Sequence, residues 1–276
     1  MGEPRLDEVG YWTEVKLEIV RKYAQAYSTI MDRQAAIRGH IYIDAFAGPG
    51  VHIAKRTQEL IPGSPLNALN IAPPFSEFHF VDLGGGRADA LRRLTETREN
   101  VFVYEGDCND VLPEEVLPRA AYRDFRRALC LLDPYGLHLN WDVVAMAGAM
   151  GSVEVFLNFP VMDMNMNALW RDPEKVSTQQ SARMDAFWGD HSWRDIAYRR
   201  VPGLFEEMEE KAGNKDIAQG FRQRLKDVGG FEFVPDPMPM RNTRGAVLYY
   251  LFFASPNRTG AKIVGDIFGK YRNRGA

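Results

Sequence analysis

Four aspartates stand where hydrophobic runs stop. "HIYIDAFAGPG" (40–50) ends its run on Asp44 and continues through Phe46 to Gly48 and Gly50; "FHFVDL" (78–83) reaches Asp82; "VFVYEGD" (101–107) reaches Asp107; "LLDPYG" (131–136) sets Asp133 before Pro134 and Tyr135. A carboxylate at such a point accepts from hydroxyl and amino groups or meets a cation, and the glycines let backbone lie close against a ligand. The first turn is acid-first, which suits a ligand bearing an amino group better than a pyrophosphate, because a carboxylate repels phosphate. It lacks the G-x-G-x-x-G of a dehydrogenase, and no lysine follows in the order a phosphate-binding loop requires.

These acids need a frame. Residues 11–37 carry Trp12, Val15, Ile19, Tyr23, Tyr27 and Ile30 at spacings of three and four, an amphipathic helix. Strands are predicted over 41–44, 76–83, 101–107, within 127–136 ending on Asp133, and over 153–160, alternating with helices over 63–72, 84–96, past 107, and 140–150. Ser64 is the expected cap of the second helix, and 51–63 reads as an exposed loop. Such alternation means a parallel sheet with helices on both faces, its ligand crevice at the carboxyl ends of the strands. "FEFVPDPMPM" (231–240) and "GAVLYYLFFAS" (245–255) follow each other without a helix and predict an antiparallel pair. The expectation is one α/β domain over 1–276: seven strands, mostly parallel, with a helical insert at 161–218 as a candidate substrate-recognition region.

The Asp44-x-Phe46-x-Gly48-x-Gly50 turn resembles the first motif of class I S-adenosylmethionine methyltransferases, a Rossmann-like group. That resemblance implies S-adenosylmethionine as cofactor. Its methionine part would lie against Asp44, Phe46, Gly48 and Gly50, its ribose hydroxyls at Asp82 and its adenine amino group at Asp107. Asp107 also fits a helix N-cap. "LLDPYG" resembles the D/N-P-P-Y/F motif of enzymes that methylate exocyclic nitrogens of nucleobases. There the carboxylate and a proline carbonyl accept from the amine, and the aromatic ring stacks on the base. Asp133, Pro134 and Tyr135 are thus the catalytic candidates, with one proline where that motif has two.

The order of "WTEVKLEIVRKYAQAY", "YIDAFAGPG", "GSPLNAL", "FHFVDL", "LLDPYG", "EVFLNFP" and "LYYLFFAS" is similar over most of the chain to the three-Cys-motif partner (TcmP) family of bacteria and phages. That similarity implies a neighbouring cysteine-motif protein, commonly of radical-SAM type, as partner. Three functions stay open: N-methylation of a nucleobase in RNA or DNA, a non-catalytic partner that keeps the fold, and methylation of a small molecule or protein.

Lys16 and Asn158 are further candidates for substrate contact. Lys16 shares a helix face with Tyr23, which fits core packing; Asn158 also fits a strand end before Pro160. His138 reads as a proton shuttle or a surface histidine. Trp170, Trp188 and Trp193, interleaved with Arg171, Arg183 and Arg194, suit an unstacked base or a small helical core equally. A net charge of −3 from 34 basic and 37 acidic residues gives no global pull towards nucleic acid. Two cysteines make a disulfide scaffold or a structural zinc site a poor fit, and no metal is expected. A polar start and the absence of a long apolar run point to a cytoplasmic chain with no membrane partner.

Overall fold

The computed structural model describes residues 8–202, 207–242 and 244–272. A 22-residue helix, α1 (Tyr11–Asp32), leads into the central strand β1 (Gly39–Asp44). Then come β2 (Glu77–Asp82), β3 (Val101–Glu105), β4 (Arg126–Leu132), β5 (Val153–Phe159), β6 (Met238–Arg241) and β7 (Val247–Ala254), in the sheet order β6-β7-β5-β4-β1-β2-β3. β7 pairs antiparallel with both β5 and β6, so it alone runs against the other six. The chain order reverses between β1 and β4, and there the crevice of an open α/β sheet forms.

Both faces of the sheet are buried, which is why the strands read as unbroken apolar runs rather than alternations. Ile41 and Ile43 of β1 pack on one face with Cys130, Val155 and Leu157. Tyr42, between them, packs on the other with Phe80, Leu131 and the Trp12, Ile19 and Tyr23 stripe of α1. The first face is covered by α4 (Trp141–Ala149) and α7 (Asn214–Asp227), the second by α1 and α8 (Arg258–Tyr271). The remaining helices used below are α2 (Ser64–Leu69), α3 (Gly85–Thr95), α5 (Val161–Asn167) and α6 (Thr178–Trp188).

Several local expectations change. The loop at 51–63 holds two short strands, Val51–Ala54 and Leu60–Pro62, paired antiparallel. Gly63, not Ser64, caps α2, because the Ser64 side chain is turned to Asp44. Within 161–218, helices alternate with a hairpin of Tyr198–Pro202 and Glu207–Lys211, and α7 runs on past 218 to Asp227. Trp188 and Trp193 are fully buried beside Met184, Phe187 and Phe221, so they form the small helical core; Trp170 alone of the three is exposed. Tyr23 is likewise core, donating to the buried Glu154. Among the described residues no helix is long and apolar enough to cross a membrane.

Candidate active site

β1 ends on Asp44 and the chain turns at once. Gly48 and Gly50 have φ of +63° and +86°, the left-handed region that side chains disfavour. The turn is tied down by the amides of Ala45 to Leu131 O (3.0 Å) and Ala47 to Val81 O (2.9 Å). The Gly48 amide donates to Asp82 Oδ2 and the Gly84 amide to Asp82 Oδ1, each at 2.8 Å. Asp82 therefore braces the glycine turn against the start of α3. A Cβ at Gly48 would meet only His52, at 3.9 Å, whereas one at Gly50 would press on Leu91 and Leu94 at 3.2 and 3.1 Å. The glycine at 48 thus serves backbone shape, and the one at 50 also serves packing.

Beside this turn three charged groups gather. Lys16 of α1 is buried and donates to Asp133 Oδ2, just past the end of β4. Burial alone would lower the lysine's pKa; the adjacent Asp133 outweighs that and raises it, so the ammonium stays protonated. Asp44 is fully buried nearby. Burial pushes its carboxyl up to about 7 and Asp133 adds to this, against the Ser64 side chain, the Phe46 amide (3.3 Å) and Lys16. Asp44 Oδ2 has no hydrogen-bond partner. One cation is shared between two acids, and one acceptor is left over.

A cleft of about 730 Å³ opens at the carboxyl ends of β1, β2 and β4. Of the sequence candidates, Phe46, Asp82, Asp107, Tyr135, His138 and Arg183 line it; Asp44, Gly48, Gly50, Asp133, Pro134, Lys16 and Asn158 do not. Asp44 lies sealed beneath the turn. Asp107 stands two residues beyond the end of β3 rather than on it. It caps the following helical turn, its Oδ1 accepting from the Asn109 amide (2.9 Å) and Nδ2 (2.8 Å), while still facing the cleft. Asn158 lies inside β5 opposite Leu251, buried, with an unpartnered Oδ1, so it does not terminate the strand. Tyr135 is 61% exposed at the cleft wall, with the Arg87 guanidinium 5.9 Å from its ring centroid. Gly136 behind it has φ +67°, and a Cβ there would stand 2.8 Å from Asp163 Oδ2. His138 Nε2 lies 3.2 Å from Arg183 Nη2, and that arginine brings α6 of the 161–218 segment into the cleft wall.

Sequence reasoning missed Arg87, Asn109 and Ser64. Arg87 had a signal, one turn into a glycine-opened helix after a strand-end acid. The Lys16–Asp133 pair joins residues 117 apart and has no local signal.

No protein-family model matches the sequence, and no curated protein matches it. Solved structures do. A Legionella pneumophila protein, LPL1258, is 12% identical with 94% of each chain covered and a TM-score of 0.46. The DszA carbon methyltransferase is 14% identical over 88% of this chain and 54% of its own, at 0.46. An Escherichia coli protein named as a methyltransferase, yhhF, is 11% identical over 86% of each chain, at 0.37. The sheet itself defines the class: six parallel strands with β7 reversed, and the reversal of order between β1 and β4, make a Rossmann-like fold of the class I methyltransferase type.

The residues fit the cofactor of that class. The unpartnered Asp44 Oδ2 is an acceptor that suits an ammonium, although it is fully buried beneath the turn. The turn reaches the cleft through Ala45 and Phe46. Asp82 and Asp107 edge a cleft whose walls include Phe46, Leu83 and Leu137.

Proposed function

We propose that this chain is an S-adenosylmethionine-dependent methyltransferase acting on an exocyclic nitrogen of a nucleobase in RNA or DNA. The observation that carries the reading is a single cleft running from Asp82 and Asp107 to the exposed ring of Tyr135, with the glycine turn hydrogen-bonded to Asp82 at its edge. The bound cofactor supplies a methyl group on a sulfonium, whose departure leaves a neutral thioether. The protein's task is then mainly to bind and align. Phe46, Gly48 and Gly50 hold the methionine part with Asp44 beneath, Asp82 the ribose and Asp107 the adenine edge. Lys16 fixes Asp133 through Oδ2, leaving Oδ1 and the Pro134 carbonyl to accept from the amine. Tyr135 stacks on the base, and Arg87 and Arg183 bring positive charge to the mouth for its phosphates.

One observation favours a second reading. Asp133 is bound to a buried lysine and stands back from the cleft, which suits a protein that keeps the cofactor fold while serving a cysteine-motif, radical-SAM-type neighbour, as the likeness to the three-Cys-motif partner family implies. Incubation with methyl-labelled S-adenosylmethionine and total RNA, DNA and lysate protein, with and without that neighbour, separates the two. Label in nucleic acid supports the nucleobase reading. Label in protein alone keeps the enzyme and discards the nucleobase. Cofactor binding with no transfer in any arm leaves the partner role.

A further inference from the structure

At the opposite edge of the sheet from the cleft, where β4 and β5 begin, lies a second pocket of about 330 Å³. Tyr27 of α1, Arg127 of β4, Ser152, Glu154 of β5 and Arg258 of α8 line it. Tyr27 is 3% exposed and Ser152 1%, yet neither hydroxyl has a hydrogen-bond partner. Two buried hydroxyls without a protein partner are a cost to folding unless a water or a ligand supplies the missing hydrogen bond. Both residues line the same pocket, their hydroxyls just beneath its surface. Burial and the nearby Glu154 push the Tyr27 phenol well up, so it is neutral and a donor, with Arg127 close enough to pull the other way.

The surrounding charges say what such donors face. The Arg127 guanidinium stacks 3.9 Å from the Tyr122 ring centroid and spends only one arm on a carbonyl, Arg126 O at 2.8 Å. Arg258 opens α8, a 14-residue helix whose amino end adds positive potential at the pocket. Glu154 is the one acid in the lining, and both its oxygens are occupied by the hydroxyls of Tyr23 and Ser255. Two buried hydroxyls without a protein partner, two arginines and a helix amino terminus border a space of small-metabolite size. We propose that this pocket binds a small oxyanion, a phosphate or a carboxylate borne by a compact metabolite. The site stands apart from the cofactor cleft and does not depend on the methyltransferase reading.

The test reads thermal unfolding of the full chain during titration with inorganic phosphate in one arm and malonate in another, each against chloride at matched ionic strength. The expected result is a saturable rise in Tm with one of them; the tighter arm identifies the oxyanion. Tyr27→Phe removes only the phenol oxygen and keeps the ring packing. It should weaken binding by about tenfold, the scale of a lost hydrogen bond to a charged group. Arg127→Met should weaken it further. A rise no greater than that with chloride in both arms overturns the proposal. So does a rise that survives unchanged in Tyr27→Phe.

Discussion

The two ends of the strands treat their acids differently. At the amino end, Glu77 opens β2 between two cations and a histidine that burial keeps neutral: Arg119 Nε donates to it at 2.9 Å, Arg126 donates to its other oxygen, and His79 Nε2 lies 3.1 Å away. Burial alone would raise Glu77, but Arg119, Arg126 and His79 hold it down to about 2. At the carboxyl end, one buried lysine serves Asp133 and, more distantly, Asp44, which burial drives up to about 7. The first cluster is complete, and the second keeps an acceptor over. A charge cluster that closes on itself is explained by the fold, while one with a remainder asks for a ligand.

The largest effect expected from breaking this contrast is at Lys16. Lys16→Met leaves two acids at the end of β1 and β4 without their cation and should cost about 3–5 kcal/mol in urea unfolding. Adding Asp133→Asn should recover much of that loss, since the partner charge goes with it. A double mutant as unstable as the single would show that the pair is not the source of the effect.

Glu154 comes next. Burial raises its carboxyl from 4.5 to about 7, outweighing the hydrogen bonds from Tyr23 and Ser255. A folded-state pKa above the unfolded one gives stability that is full below about 4.5 and lost as pH rises to about 7, with an upper bound of about 3 kcal/mol. Asp44, raised from 3.8 to about 7, adds a slope of the same sign. Glu154→Gln should therefore reduce, not abolish, the fall in stability over this range. Chemical unfolding at a series of pH values measures it, and an unchanged slope would remove the assignment.

Glu77→Gln is the mildest. Its depressed pKa gives stability present above about 4.5 and lost as pH falls towards about 2. The substitution should cost about 1–3 kcal/mol at neutral pH, since the carboxylate is only partly buried. Its effect on binding of S-adenosylhomocysteine should be nil. Weakened ligand binding there would mean that the two ends of the sheet are not separable.

How much of this was legible follows from burial. β1, β2, β4 and β5 stood out because both faces of each are covered, leaving no polar alternation to confuse the run. Strand ends were harder: β3 stops at Glu105 because Gly106 and Asp107 turn the chain into a capped helix, which an apolar run alone does not mark. The hairpin at 51–62 is short and lies largely at the surface, so it lacks a hydrophobic pattern. α8 was missed although Asn257 caps it and Val264, Phe268 and Tyr271 follow helical spacing; that signal was present. Within the site, the glycine turn and the strand-end acids were readable because they are local. That Asp82 holds Gly48, that Ser64 turns to Asp44 and that Lys16 meets Asp133 depends on the register of separate elements, which no single window contains.

The central claim is that the acceptor left over beneath the glycine turn, and the cleft before it, belong to a sulfonium cofactor. Isothermal titration of the full chain with S-adenosylhomocysteine tests it most directly. Micromolar binding or tighter is the expected result. A loss of about 1.5–3 kcal/mol is expected in Asp82→Ala, which removes the carboxylate that holds the Gly48 and Gly84 amides and edges the cleft. Failure of the wild-type protein to bind, or binding that Asp82→Ala leaves untouched, would contradict it.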